Sequence, residues 1–319
     1  MTYPSEEMRK PSRVLIAGGT GYLGKNLVKA SLAQGHPTFV LVRPDFVSNI
    51  HKAQLLISFK QAGAHLVEGS FDDHDSLINA VKKVDVVIST MAENQLLQQL
   101  KLVRAIKEAG TIKRFLPSEF GMDPARMEHA KEPANVIFQQ KMAVRHATEA
   151  AGIPYTYISA NCFAGYFLAG LAQYNQFVPP LDKAVIYGEG NHKVIWVDEG
   201  DIAKYAIKTI EDPRTINKTI YIRPPLNILS LREVVGMWEK LCGRVLDKPT
   251  IHEEDWLITM QQDKSMTFET RVAMAIFYHI FFKGELTNFD VDGKEQLEAT
   301  QLYPQVEYTS VERYLSRFV

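Results

Sequence analysis

Apolar positions along the chain fall into two alternating rhythms. Short, nearly unbroken apolar runs occur in RVLIAGG (13–19), HPTFVLVR (36–43), GAHLVEGS (63–70), VDVVIST (84–90), IKRFLPS (112–118) and PYTYISA (154–160). Their length and β-branched content predict buried strands. Between them, apolar residues recur every three or four positions. Leu23, Leu27 and Ala30 do so after the first run and stop at Gly35, and similar patterns fill about 50–61, 73–82, 93–109 and 134–151. These predict helices. Strands with two apolar faces, each followed by a helix, need cover on both sides of one sheet. The order therefore predicts an α/β chain with a Rossmann-type, doubly wound parallel sheet.

The rhythm breaks after about residue 162. KVIWVDEGDIAKYAIKTIED predicts a strand and a helix, and KTIYIRPP another strand. SLREVVGMWEKLCG predicts a helix with Ser230 as its N-cap and Gly243 as its stop, and more helix is expected over 252–262 and 266–282. The expected division is a nucleotide-binding domain over 1–161 and a smaller, mostly helical substrate domain over 162–319. Short strands after 162 could rejoin the first sheet.

Composition changes this picture mainly by exclusion. Of 319 residues, 46% are hydrophobic, and 36 basic residues balance 37 acidic ones. Nothing global attracts nucleic acid or an anionic membrane. Cys162 and Cys242 are the two cysteines, too few for a disulfide scaffold and not in a metal-ligand spacing. The apolar runs VAMAIFYHIFF and CFAGYFLAGLA fall short of the ~20 residues of a membrane span. The opening MTYPSEEMRK is polar and acid-bearing, unlike a signal peptide. A cytoplasmic protein without metal is expected.

The first strand runs into GGTGYLG, which puts Gly18, Gly21 and Gly24 between a strand and a helix, with Thr20, Tyr22 and Leu23 among them. In that context glycines let the backbone approach a pyrophosphate at a helix N-terminus, where free N–H groups favour anions. The second strand ends in LVRP. An acid there would hold the ribose 2′-hydroxyl of NAD; Arg43 instead suits the 2′-phosphate of NADP. Lys52 either adds a second positive charge or is a solvated helix residue. NADPH is the expected cofactor.

Lys141 lies in VIFQQKMAVRHATEA, flanked at helical spacing by Ile137, Phe138 and Val144. It is either a snorkelling stem or a desolvated base. Short-chain dehydrogenases, which share the glycine pattern, rely on Tyr-x-x-x-Lys, and here Ile137 stands where the tyrosine would be. Lys141 then acts as acid–base group by itself, or the chain is a non-catalytic NADP-binding regulator.

Several longer motifs decide the resemblance. KRFLPSEFGMDPARM (113–127), FQQKM (138–142), GIPYTYISANCFAGYF (152–167), DPRTINKTIYIRPP (212–225) and QLYPQVEYTSVERYL (301–315) resemble the plant NADPH-dependent reductase family of pinoresinol–lariciresinol, isoflavone and phenylcoumaran benzylic ether reductases. The resemblance spans nearly the whole chain, and SEFGMDPARM followed by HA is most similar to the pinoresinol–lariciresinol branch. It implies NADPH-dependent opening of lignan ethers, with phenylcoumaran and isoflavone reduction as alternatives. It implies a homodimer, Lys141 as the catalytic lysine beside the cofactor, Phe163 against the nicotinamide and His279 facing the substrate. One stretch departs from that branch: STMAENQLLQQLKLV after the fourth strand is shorter than the glycine- and histidine-bearing loop that covers the pocket there.

Each aromatic has a plainer reading as well. Phe163 could be core, and His279 in IFYHIFFKG could be a hydrogen-bonded core histidine. Met122, Tyr166 and Phe167 could line a substrate pocket or fill a core. Ser118 and Glu119 close the fifth strand, where they could meet the cofactor or cap local backbone.

Overall fold

A computed structural model describes residues 10–43 and 50–319; the polar opening stretch, apart from Lys10, lies outside them. The first half alternates as expected: β1 (Val14–Ala17), α1 (Gly24–Ala33), β2 (Thr38–Val42), α2 (Ile50–Gln61), β3 (His65–Glu68), α3 (His74–Val81), β4 (Val86–Ser89), α4 (Gln99–Ala109), β5 (Arg114–Leu116), α5 (Ala134–Ala150) and β6 (Thr156–Ser159). Strands β3-β2-β1-β4-β5 form a parallel sheet in that order. Successive β1 side chains face opposite sides of it. Val14 and Ile16 join the core containing Leu27 and Val28 of α1, whereas Leu15 and Ala17 join Leu77, Val81, Leu102 and Ile106 of α3 and α4. That two-sided burial is why β1 reads as an unbroken apolar run.

The second half contributes β7 (Cys162–Phe163), β8 (Ile186–Tyr187), β9 (Lys193–Val197), α6 (Glu199–Thr209), β10 (Lys218–Tyr221), β11 (Ile228–Ser230), α7 (Leu231–Cys242), β12 (Thr250–Ile251), α8 (Glu253–Gln262), α9 (Phe268–Phe277) and β13 (Gln296–Glu298). Two of its strands return to the sheet. β6 meets β5 through a parallel bridge between Phe115 and Tyr155, β10 pairs with β6, and β13 pairs with β10. Residues on both sides of position 161 thus build one parallel sheet. The remaining strands form two small sheets, β11-β9-β7 and β12-β8, among the helices.

Local signals explain the helix ends. Ser230 accepts a hydrogen bond from the Glu233 N–H while Glu233 reaches back, and Gly243 closes α7 in the left-handed conformation. The pattern over 93–109 is split: Glu93–Gln98 is a 3₁₀ turn, and α4 begins at Gln99. Both pieces bury one apolar stripe, so periodicity alone sees a single helix. The helix expected over 266–282 is α9 followed by a π-helical turn at Tyr278–Phe282.

The sheet order reverses between β1 and β4. Ligands of such sheets bind beyond the carboxyl ends of the strands at that crevice. The glycine loop, the 93–98 turn and the segment after β5 all lie at those ends.

Candidate nucleotide and catalytic site

The glycine loop is built for close backbone approach. Gly18 has φ 85°, and its carbonyl accepts the Gly21 N–H at 2.8 Å. A Cβ on Gly24 would lie 2.1 Å from the Gly18 oxygen, so only glycine lets α1 start so close to the turn. No side chain caps α1 and no acid stands in its first turn. A tight turn facing a positive, uncapped helix end fits a pyrophosphate. Arg43 is exposed at the carboxyl end of β2, near enough to help lower the Asp72 pKa, after the larger effect of Lys101. Lys52 is exposed in the first turn of α2, the helix that follows β2. Two cations at this edge fit a 2′-phosphate.

Tyr22 links the loop to the second half of the chain. Its ring packs on Tyr166 at 4.4 Å between centroids and stacks on Phe163 at 6.4 Å. Its hydroxyl donates to Glu199 Oε1 at 2.8 Å, an oxygen that also accepts the Gly165 N–H at 2.8 Å. Burial pushes the Glu199 carboxyl up, and these bonds oppose the shift. The structure therefore brings Tyr22, Phe163 and Tyr166 together beside the glycine loop. Glu199, which closes the group, carried no sequence signal beyond its place in the first turn of α6.

Lys141 lies midway along α5. Its Nζ donates to the Glu119 backbone carbonyl at 2.8 Å. Desolvation pulls its pKa below the usual lysine range, while Glu119 and Glu93 act in the opposite sense. Ile137, Phe138 and Val144 are all buried around it, as the spacing suggested. Ser118 does not reach outward: its N–H donates to Gln99 Oε1 at 2.7 Å and its hydroxyl to the Met91 carbonyl at 2.9 Å. Glu119 is buried, and its carboxylate is gripped by both prongs of Arg145. Arg145 also contacts Asp123 Oδ1 at 2.9 Å. Sequence reading passed over Arg145 and Asp123, although Arg145 stands one helical turn beyond Lys141. Glu93 joins the two parts of the site electrostatically, since its charge acts on both Lys141 and Tyr166.

The other expected pocket residues separate. Met122 is buried, next to Asp123 and Tyr221 around a small cavity. Phe167 stacks on Phe277 of α9 at 5.4 Å, within the aromatic core of the second half. His279 is 2% exposed. Its Nε2 accepts the Lys131 N–H at 2.9 Å, and its Nδ1 lies 2.8 Å from Glu285 Oε2. The ring is buried and hydrogen-bonded through Nε2, which matches the plainer reading of a core histidine. His129 approaches the other Glu285 oxygen at 2.8 Å. The three side chains could be taken for metal ligands. With Nε2 taken by the Lys131 N–H, only Nδ1 of His279 could serve a cation. Among the described residues no helix is long and apolar enough to cross a membrane.

A model of the NmrA-like family matches residues 10–315. The chain is 56% identical over 316 residues to a bifunctional pinoresinol-lariciresinol reductase 2 of Thuja plicata, covering 98% of this chain and 100% of that protein. It is 58% identical over 313 residues to a bifunctional pinoresinol-lariciresinol reductase of Sinopodophyllum hexandrum, covering 97% and 99%. A solved structure of AtPrR2 with NADP+ and (+)-pinoresinol superposes with a TM-score of 0.93 at 51% identity, covering 97% of this chain and 99% of that one. The chain belongs to the NmrA-like family, among its pinoresinol–lariciresinol reductases.

Proposed function

We propose that this protein is an NADPH-dependent oxidoreductase that opens benzylic ethers of lignans, taking pinoresinol to lariciresinol and on to secoisolariciresinol. The single observation that carries the mechanism is Lys141: a desolvated ammonium on a helix, held by one backbone carbonyl, with no tyrosine one turn before it. The bifunctional activity printed in the names of relatives sharing more than half of this sequence supports the substrate class.

The glycine loop at Gly18, Thr20, Gly21, Tyr22, Leu23 and Gly24 would hold the pyrophosphate, and Arg43 with Lys52 the 2′-phosphate. Phe163, set beside Tyr22, would give the nicotinamide an apolar face. When bound, NADPH supplies the hydride that reduces the benzylic carbon. Lys141 handles the proton. A substrate phenol has a pKa of about 10, and an ordinary lysine is charged at neutral pH and cannot accept its proton. Desolvation makes the neutral amine accessible. Neutral Lys141 takes the phenolic proton, the ring pushes electrons toward the benzylic carbon, and the ether bond to oxygen breaks. The resulting quinone methide is electrophilic at that carbon. Reduction there restores the phenolate; the proton held on Lys141 neutralises one of the two oxyanions formed, the phenolate and the alkoxide of the opened ether, and solvent supplies the second proton. Tyr166, partly exposed beside Phe163, is the side chain proposed to meet a lignan ring.

Turnover with racemic pinoresinol, measured with a nucleotide-binding titration, tests the assignment. Lys141→Ala should lose turnover by at least the ~10²–10⁴-fold typical of general base catalysis, with NADPH affinity retained. Lys141→Arg should be nearly as inactive, because a guanidinium stays charged. An arginine variant turning over near the parental rate would rule out the base. Product analysis in the same assay separates one reduction from two. A regulator of the NADP ratio would bind nucleotide and oxidise none. The family resemblance also supports a homodimer, which light scattering would test against a monomer of 36.1 kDa.

A further inference from the structure

The turn between β5 and α5 is tied down far more heavily than a connection requires. Its carboxylates, Glu119 and Asp123, are 6% and 5% exposed, and Arg145, which bridges them, is 5% exposed. The second oxygen of Asp123 accepts the Tyr221 hydroxyl from β10. Gly121 in the same turn accepts the Ser159 hydroxyl at 2.9 Å and the Asn161 N–H at 3.3 Å, both from the end of β6. The peptide whose oxygen receives the Lys141 ammonium joins Glu119 to Phe120, and Phe120 has φ 30°, a conformation side chains with a Cβ avoid. Such a conformation persists only where its surroundings impose it. A Cβ on Gly121 would lie 3.6 Å from Lys141 Nζ, so the same turn also forms a wall of the lysine's site.

We propose that Arg145 and Glu119 are positioning residues for Lys141: their two-pronged ion pair holds the strained turn that aims the Glu119 carbonyl at the ammonium, and the charge balance of the cluster sets the pH at which Lys141 becomes a base. This rests on the reading of Lys141 as the base. The charged groups facing Lys141 come from three elements: Glu93 from the 3₁₀ turn after β4, Glu119 and Asp123 from the turn after β5, and Arg145 from α5 itself. Desolvation lowers the proton affinity of Lys141. Burial pushes the Glu119 carboxyl up while Arg145 opposes that shift, and Glu119, Glu93 and Asp123 all raise the proton affinity of Lys141. The acids restore part of its proton affinity, and Arg145 limits how much.

The experiment is the pH profile of kcat/KM for NADPH-dependent pinoresinol reduction, with NADPH affinity measured alongside, in the parent, Glu119→Gln and Arg145→Lys. The parent should show a rising limb with pH as Lys141 loses its proton, and its absence would count against the base reading itself. Glu119→Gln keeps the carbonyl and the size of the side chain but removes one negative charge. Its limb should move to lower pH by about one unit, the scale of losing one nearby opposite charge. Arg145→Lys keeps the charge and loses the fork. Its limb should stay within about half a unit of the parent while kcat falls roughly tenfold, because one ammonium cannot grip two carboxylates in fixed geometry. NADPH affinity should be parental in both. A parental limb and kcat in both variants, with only thermal stability lowered, would overturn the proposal and leave the cluster a structural ion pair. Should Glu119→Gln fail to bind NADPH, the kcat and pH profile of Arg145→Lys decide the matter alone.

Discussion

At the scale of single residues, the site rests on where charges are placed and how far each is removed from water. Arg43 and Lys141 show the two extremes. Arg43 is exposed at a strand end, where the fork of a guanidinium suits a phosphate. Reversing it should erase much of the cofactor preference. Arg43→Asp should weaken NADPH binding about ten- to hundred-fold, the equivalent of one charge-assisted contact of about 1.5–3 kcal/mol, with little effect on NADH. Titration of both nucleotides checks this, and equal affinity of the parent protein for the two would contradict the role. Lys141, by contrast, is desolvated, which lowers its pKa and is what the proposed role as a base requires. The residue type and its apolar neighbours could be read from the sequence. The Glu119 carbonyl that holds it could not, because it belongs to a turn 22 residues away in the chain.

At the scale of elements, the β1–α1 junction is constrained by close backbone approach. Its sequence signature was legible because the constraint is local: strand, turn and helix start lie within a dozen residues, and backbone geometry dictates glycine. Gly24→Ala tests that constraint. Its Cβ would sit 2.1 Å from the Gly18 carbonyl oxygen, so α1 or the turn must shift. NADPH affinity should fall at least tenfold, about 1.4 kcal/mol, while the sheet stays folded by circular dichroism. Unchanged affinity would mean that the turn can adjust without cost. The 3₁₀ turn at Glu93–Gln98 was less legible. Its apolar spacing matches helix α4, and only its packing against α5 sets it apart and brings Glu93 toward Lys141.

At the scale of the whole molecule, Arg114 holds the two halves in register. Its guanidinium, on β5, donates to Thr156 Oγ1 at 2.7 Å on β6, to Thr209 O at 3.0 Å and Thr215 Oγ1 at 2.8 Å beyond, and to Asp212 O at 3.2 Å. These bonds fasten the central sheet to α6 and to the segment leading into β10. Arg114→Met would leave several buried acceptors without their donor. It should cost about 2–4 kcal/mol and lower the thermal midpoint by several degrees, with turnover per folded molecule retained. A parental midpoint would show that the threonines satisfy one another unaided.

The sequence by itself determined what depends on near neighbours. The parallel sheet is legible because its strands are apolar on both faces, the nucleotide loop because glycine spacing is a backbone requirement, and α7 because its capping box and terminal glycine lie in one short stretch. The place of Lys141 on an apolar helix was legible for the same reason. Only the tertiary structure decided what depends on distant segments meeting. β10 and β13 return to the sheet although their own sequences are too short to show it. Tyr22 reaches Glu199 across 177 positions. His279 turns inward to Lys131 and Glu285. Arg145 ties Glu119 to Asp123 beside Lys141, since a buried ion pair is selected by the dielectric and geometry of a folded interior, which no local pattern encodes.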